Sequence, residues 1–376
     1  MLKFRGAFVS TFLSSLPPHL FLPFSPHRAV PFKGRLNRTV SFVSLKMGWF
    51  NSFLYSQLFV TLPEPTKDFS GQTVIVTGSN TGLGLEAARH LSRLNANLII
   101  LAVRNQAKGD AAKKNVLSST NRPETSIEVW SLDMQSYDSI KAFCAKAGTL
   151  PRLNAVIANA GIMTKYCKLV EGYESTVTTN VIGTFLLTLG LLPKPKQSAA
   201  DFSIQPRLTI VASDLHFIAK FPERHSEDVL EALDNEESEM GMERYAVTKL
   251  IEVFAVGELA SIISKDSNSV SPSVIVNCMT PGACKSDFHR ENPNIGGIIQ
   301  SILDAIIART TEAGSRTLLA GIAAGEESHG SYMADCKVAE PGPMVLGSNG
   351  KALQETVWYQ LVRHLEAIQP GIAQNV

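Results

Sequence analysis

The chain has 376 residues, 44% of them hydrophobic and 18% charged, a composition that can bury a large core and excludes an intrinsically disordered chain. Its 35 Lys and Arg against 34 Asp and Glu give a net charge of +1, which hides an asymmetry. Residues 1–46 hold seven basic side chains and no acid, so the rest carries 28 basic and 34 acidic groups, a net of −6, and this mildly acidic body excludes a nucleic-acid partner.

The basic leader is rich in Ser, Pro and Arg, and Pro17, Pro18, Pro23, Pro26 and Pro31 interrupt any helix there. Three readings fit it: an organelle transit peptide, a weak signal peptide, or an extension translated from upstream of a start at Met47. The segment from Met47 to Leu62 is apolar, aromatic and uncharged, yet shorter than the ~20 residues a spanning helix needs. It is expected to pack on the body, with contact to a membrane surface as the alternative, in a cytoplasmic protein unless the leader directs it to an organelle.

Beyond Pro65, short apolar runs alternate with amphipathic stretches. Thr73–Thr77, Asn97–Val103, Ile127–Ser131, Ala155–Ala158, Leu208–Ala212 and Val274–Met279 read as buried strands. Leu83–Leu94, Gln106–Leu117, Ser136–Lys146, Ser175–Leu192 and Arg244–Ile263 read as helices. Strict alternation of this kind predicts an α/β protein: a Rossmann-type, doubly wound parallel sheet in three α/β/α layers, with residues 71–376 as one domain behind an apolar segment, 47–70. The five cysteines are scattered, form no C-x-x-C pair and are expected as reduced thiols, and no metal site is expected.

The first strand runs into Gly78-Ser79-Asn80-Thr81-Gly82-Leu83-Gly84 and then a helix. Small residues in a strand-turn-helix setting let backbone N–H groups and the positive helix end hold a pyrophosphate. At the end of the second strand, where an acid would bind the ribose hydroxyls of NAD, the chain has Arg104, whose guanidinium suits the 2′-phosphate of NADP(H). Asp133, after the third strand, is placed to reach adenine or to cap the following helix.

Y-x-x-x-K occurs twice, at Tyr137/Lys141 and Tyr245/Lys249. Ligands of open α/β sheets lie beyond the carboxyl ends of the strands. Tyr137 follows the third strand with no partner hydroxyl upstream, so it and Lys141 are expected on the surface. Tyr245 follows the fifth strand, whose carboxyl end presents Ser213, and shares a helix face with Lys249. An ammonium beside a phenol favours the phenolate, and Ser213 can hydrogen-bond the same substrate oxygen, which is the machinery of reversible carbonyl reduction.

With these residues the chain resembles a classical short-chain dehydrogenase/reductase over nearly all of 71–376. The glycine motif is Gly78, Gly82 and Gly84; Ala158-Asn159-Ala160-Gly161 matches the family's N-N-A-G; Asn180 matches its tetrad asparagine; Ser213, Tyr245 and Lys249 complete the tetrad; Pro281-Gly282 is followed by Ser286, where a cofactor-contacting Ser or Thr is usual. The departures are Ala158 for an Asn and Asp214 after the serine. Within the family it is similar to retinol-dehydrogenase-like and WW-domain-oxidoreductase-like members, and its start resembles fungal members that make secondary metabolites. The resemblance implies hydride transfer between NADPH and a substrate carbonyl carbon while Tyr245 supplies the proton. It also implies that Lys249 bonds the nicotinamide ribose and that Asn180 holds a water linking Lys249 to solvent.

The 32 positions from Ser213 to Tyr245 begin apolar and turn acidic, with nine Asp or Glu against two Arg between Glu223 and Arg244, a run expected to be a solvated face. Ile295, Ile298, Ile299, Ile302 and Leu303 fall where the family has its substrate lid, which suggests a neutral hydrophobic ketone or alcohol; plain core packing is the alternative reading of these residues. The competing reading is a catalytically silent NADP(H)-binding regulator or scaffold, against which the intact tetrad argues. A homo-oligomer is left open.

Overall fold

A computed structural model describes residues 38–234, 240–266, 271–285 and 307–376, with side chains from Gly48 onward. Helix α1 (Arg38–Phe59) takes in the last residues of the basic leader. The body then alternates as read: β1 (Thr73–Thr77), α2 (Gly82–Arg93), β2 (Leu98–Val103), α3 (Gln106–Thr120), β3 (Ile127–Ser131), α4 (Tyr137–Gly148) and β4 (Ala155–Ala158). A small hairpin, β5 (Leu169–Val170) and β6 (Tyr173–Glu174), leads into the long helix α5 (Ser175–Phe202). β7 (Arg207–Val211), α6 (Met242–Asp266), β8 (Ile275–Met279), α7 (Thr311–Ala323), β9 (Tyr332–Ala334), β10 (Lys337–Ala339) and α8 (Gly350–Ile368) complete it.

The sheet order is β10-β9-β8-β7-β4-β1-β2-β3, parallel throughout except for the β9–β10 pair at one edge. The order reverses direction between β1 and β4, the switch point beyond whose carboxyl ends ligands sit in such sheets. Alternation within strands builds the layers. Ile75, Ile100 and Ala102 face the α4, α5, α6 and α8 layer, whereas Val74, Val76, Ile99, Leu101 and Val103 face α2, α3 and α7. Both faces being covered explains why the strands are nearly uniformly apolar.

Helix α5 has the length and hydropathy to cross a bilayer, but 94% of its apolar window is buried in the protein, so it is a core helix. A stretch near its start, Thr178–Gly183, is π-helical, and every residue in it is buried.

Two expectations are corrected. Tyr137 is a core residue, buried against α5, because it opens α4 on the face turned to the sheet; its neighbour Lys141 does reach the surface, paired with Asp138 at 2.7 Å. The acidic stretch after Phe221 is partly turned inward. Asp228 is buried, caps the helical turn Val229–Ala232 and accepts a 2.8 Å bond from His364 of α8, while Asp234 accepts the Glu174 N–H at 2.7 Å. His364 in turn meets the Tyr173 hydroxyl through Nδ1, so α8, the hairpin and the Ser213–Tyr245 connection are tied together.

α1 packs at the carboxyl end of the sheet, against the segment following Ser213. Trp49 stacks on Phe53 and on Phe217 with ring centroids 5.6 and 6.1 Å apart. Arg309 anchors the other end of the helix, donating to the Ser56 carbonyl at 2.8 Å and to Asp335 at 2.7 Å.

Candidate active site

The glycine loop leaves β1 between β2 and β4. Gly78 adopts φ +63°, and Gly84 lies so close to the loop that a Cβ there would sit 2.6 Å from the Gly78 carbonyl oxygen and 2.8 Å from Asn159 Nδ2. Asn159 fixes this approach: its side chain donates to the Thr77 carbonyl at 2.9 Å, while its own N–H and that of Ala160 both donate to Thr77 Oγ1 at 2.9 Å. Asn159 is thus a brace between β1 and β4. Ser79 is fully buried and donates to the Val76 carbonyl, which shapes the turn from inside.

Thr81 precedes α2 without a side-chain bond to its first turn, and Asn80, Gly82 and Leu83 are partly exposed around that turn. A closely packed, side-chain-poor loop ending on a helix N-terminus fits a pyrophosphate. The residues present therefore fit a nicotinamide dinucleotide. Arg104 is exposed just past β2, on the same edge of the site. Asp133 is half-buried after β3, its carboxylate accepting the Gln135 N–H at 3.0 Å; Ser136, not Asp133, caps α4. Ser286 and the isoleucine-rich stretch lie outside the described residues. Arg309 pairs with 283–285, its N–H reaching the Ala283 carbonyl at 2.8 Å while its carbonyl takes the Lys285 N–H at 2.9 Å.

Ser213 follows β7, and Tyr245 on α6 hydrogen-bonds to it. Ser213 Oγ also accepts the Leu215 N–H at 3.2 Å, which orients the hydroxyl. Lys249, one turn beyond Tyr245, is buried and places Nζ 5.5 Å from the centre of the tyrosine ring. Burial raises the Tyr245 phenol above its ordinary value; Lys249 and the Ser213 bond oppose the rise, and Glu252 and Asp214 add to it.

Asn180 is fully buried in the π turn. Its Oδ1 accepts the Ile162 N–H at 2.9 Å, and its Nδ2 donates to the Ile162 carbonyl at 2.9 Å and to Thr248 Oγ1 at 3.1 Å. It therefore joins the chain after β4 to the residue preceding Lys249.

Five supporting residues, Thr280, Tyr332, Asp214, His216 and Glu252, were given no role by the sequence reading. Thr280 accepts the Asp214 N–H at 3.2 Å and donates to its carboxylate at 3.0 Å, and Tyr332 donates to the other carboxylate oxygen at 2.7 Å. Asp214 is thereby held as a buried brace behind Ser213. His216 spans from the Ser213 carbonyl to the Gly342 N–H. Glu252 bonds Lys249. The last had a readable signal, since it stands three residues beyond Lys249 on one helix face; the others depend on contacts more than 50 residues apart in sequence, which no local pattern displays.

A sequence model described as short chain dehydrogenase matches residues 72–201. The short chain dehydrogenase/reductase dmxR8 of Cryptosporiopsis sp. is 44% identical over 328 residues, covering 86% of this chain and 99% of that protein. The chain belongs to the short-chain dehydrogenase/reductase family. The short-chain dehydrogenase anuD of Penicillium roqueforti is 41% identical over 323 residues, 85% of this chain and 84% of its own. Among solved structures, a short-chain type dehydrogenase/reductase from Mycobacterium marinum superimposes with TM-score 0.55 at 17% identity, over 71% of this chain and 94% of that one. Another, a short chain dehydrogenase from Shigella flexneri complexed with NADP, gives TM-score 0.51 at 21% identity, over 72% and 99%. These two show the fold. The protein is accordingly an oxidoreductase that binds a nicotinamide dinucleotide and acts on a small molecule.

Proposed function

We propose that this short-chain dehydrogenase/reductase uses NADP(H) to interconvert a ketone or aldehyde with an alcohol on a hydrophobic small molecule, in the making of a secondary metabolite. The observation that carries the reading is the meeting of Ser213, Tyr245 and Lys249 at the carboxyl end of β7, with the glycine loop at the carboxyl end of β1, one strand further along the sheet beyond β4.

Bound at that loop, the cofactor supplies or accepts the hydride. Gly78, Gly82 and Gly84 hold its pyrophosphate, and Arg104, standing where a NAD-binding chain would carry an acid, takes the 2′-phosphate. Ser213 Oγ orients the carbonyl oxygen. Tyr245 gives its proton to that oxygen as negative charge develops there, and takes it back in the reverse direction. A phenol raised by burial is protonated at neutral pH, which favours its use as the acid, in the direction of reduction. Lys249 counters the charge left on Tyr245, and Asn180 fixes the helix turn carrying Lys249. The apolar α1, whose Trp49 stacks on both Phe53 and Phe217, supports a hydrophobic substrate.

The test is NADPH consumption with a panel of hydrophobic ketones and aldehydes, by the wild type and Tyr245→Phe. Turnover by the wild type, with Tyr245→Phe inactive but still binding NADPH, supports the reading. A fully active Tyr245→Phe, or NADPH binding with no turnover on any member of the panel, refutes it.

A further inference from the structure

The Lys249 ammonium has three protons to donate, and all three are directed within the protein: to the Val211 carbonyl at 2.8 Å and to the two oxygens of Glu252 at 2.8 and 3.0 Å. Glu252 is 1% exposed and Lys249 5%. A buried carboxylate closing on a buried ammonium is costly to assemble, because both ions leave water, and a packed apolar pair would stabilise the core at least as well. Stability alone is therefore a poor reason for this pair to stand one turn from Tyr245.

We propose that Glu252 is a positioning residue for the reaction: it holds the Lys249 ammonium at a fixed place and supplies the counter-charge that lets a cation exist in a buried site. The inference rests on the reading of Tyr245 as the acid–base group.

The titratable groups facing Glu252 are Lys249 and Tyr245 on α6 itself and Cys278 on β8; the Val211 carbonyl completes the shell from β7. Burial by itself drives a lysine towards the neutral amine, and Glu252 reverses this, so Lys249 ends above its ordinary value. The carboxyl group bears the cost, pushed up to about 7 by burial against the opposing pull of Lys249. Without Glu252, the Val211 carbonyl is the one acceptor left of the three, and the ammonium loses its proton earlier on the pH scale. Tyr245 then loses the cation that stabilises its phenolate.

The experiment follows Lys249 directly, in cofactor-free enzyme carrying 13C-labelled lysine, with its Cε resonance assigned by its loss in Lys249→Arg. In the wild type this resonance is expected to titrate above the ordinary lysine value, and in Glu252→Gln its midpoint is expected to fall clearly below that of the wild type. Glu252→Asp, which keeps the charge, restores most of the difference. In turnover, kcat of Glu252→Gln falls about tenfold at alkaline pH while KM changes less. An unchanged Lys249 midpoint in folded Glu252→Gln overturns the proposal. So does a wild-type midpoint below the ordinary lysine value, a result that needs no variant to fold. An active Tyr245→Phe would remove the reading of the tyrosine and leave the lysine titration standing, so the two failures are distinguishable.

Discussion

His216 joins the carbonyl of Ser213, 2.7 Å from Nδ1, to the backbone N–H of Gly342, 2.8 Å from Nε2. Because Gly342 can only donate, Nε2 accepts and Nδ1 carries the proton, which fixes the tautomer without observing the hydrogen. Burial holds the imidazole neutral, down to about 4 from an ordinary 6.5. The ring also packs against Tyr332, centroids 4.7 Å apart, so Ser213, β9 and the C-terminal segment share one uncharged hub.

That hub predicts acid lability. A group whose folded pKa is depressed contributes stability that is fully present above the unfolded value and lost as pH falls towards the folded one. Between pH 6.5 and 4, His216 is expected to remove up to about 3 kcal/mol of stability. Urea midpoints measured across this window should fall more steeply for the wild type than for His216→Gln, which keeps both a donor and an acceptor but cannot take up a proton. Parallel curves would show that the imidazole is not the group responsible.

Gly84 predicts a steric rather than an electrostatic failure. In Gly84→Ala the new methyl meets a backbone oxygen at 2.6 Å and Asn159 Nδ2 at 2.8 Å, and the backbone has nowhere to yield while Asn159 braces β1 to β4. The gain in helix propensity, about 1 kcal/mol, is outweighed by an overpacking cost of roughly 1–3 kcal/mol. Weaker NADPH binding and a lowered Tm are expected together; a variant that binds NADPH as tightly as the wild type would show that the loop can open.

The balance between what the sequence displays and what it conceals follows range. Strands such as Thr73–Thr77 and the glycine loop are local patterns of period and residue size, so they are legible along the chain. Ser213 and Tyr245 lie 32 positions apart, yet they are legible because each sits at a strand end or helix start that topology brings to one side of the sheet. His216, Thr280 and Tyr332 act through contacts between distant segments. Tyr137 reads as a surface residue because it follows the third strand with no partner hydroxyl upstream, and the burial that decides its place comes from α5. Lys249 pulls the phenol down as its spacing suggests, but burial outweighs that pull and Glu252 opposes it, and both enter only in three dimensions.

Arg104 carries the choice of cofactor in the proposed function. It is exposed, so its contribution is confined to the ligand it meets. A charge-assisted contact with a 2′-phosphate is worth about 1.5–3 kcal/mol, or roughly ten- to a hundredfold in kcat/KM. Arg104→Asp should lower kcat/KM for NADPH by that factor and raise it for NADH, with no change in Tm. Equal efficiency of the wild type with both cofactors would remove the assignment.

Arg309 predicts how α1 is kept on the body. Its guanidinium, 7% exposed, bonds the carbonyl and hydroxyl of Ser56 and the carboxylate of Asp335, and the Ser56 hydroxyl donates to the same carboxylate at 2.8 Å. Arg309→Met leaves Asp335 without its cation, at a cost of about 3 kcal/mol, and frees the end of α1. Because Trp49 of that helix stacks on Phe217, four residues beyond Ser213, the loss should reach the substrate side. Limited proteolysis within residues 48–60 should accelerate, and KM for a hydrophobic substrate should rise more than kcat falls. The pair Arg309→Met/Asp335→Asn should recover part of the lost Tm, since it removes the stranded carboxylate, while proteolysis stays fast because Ser56 has still lost its donor. Recovery of both would place the whole effect in the ion pair and none in the hold on α1.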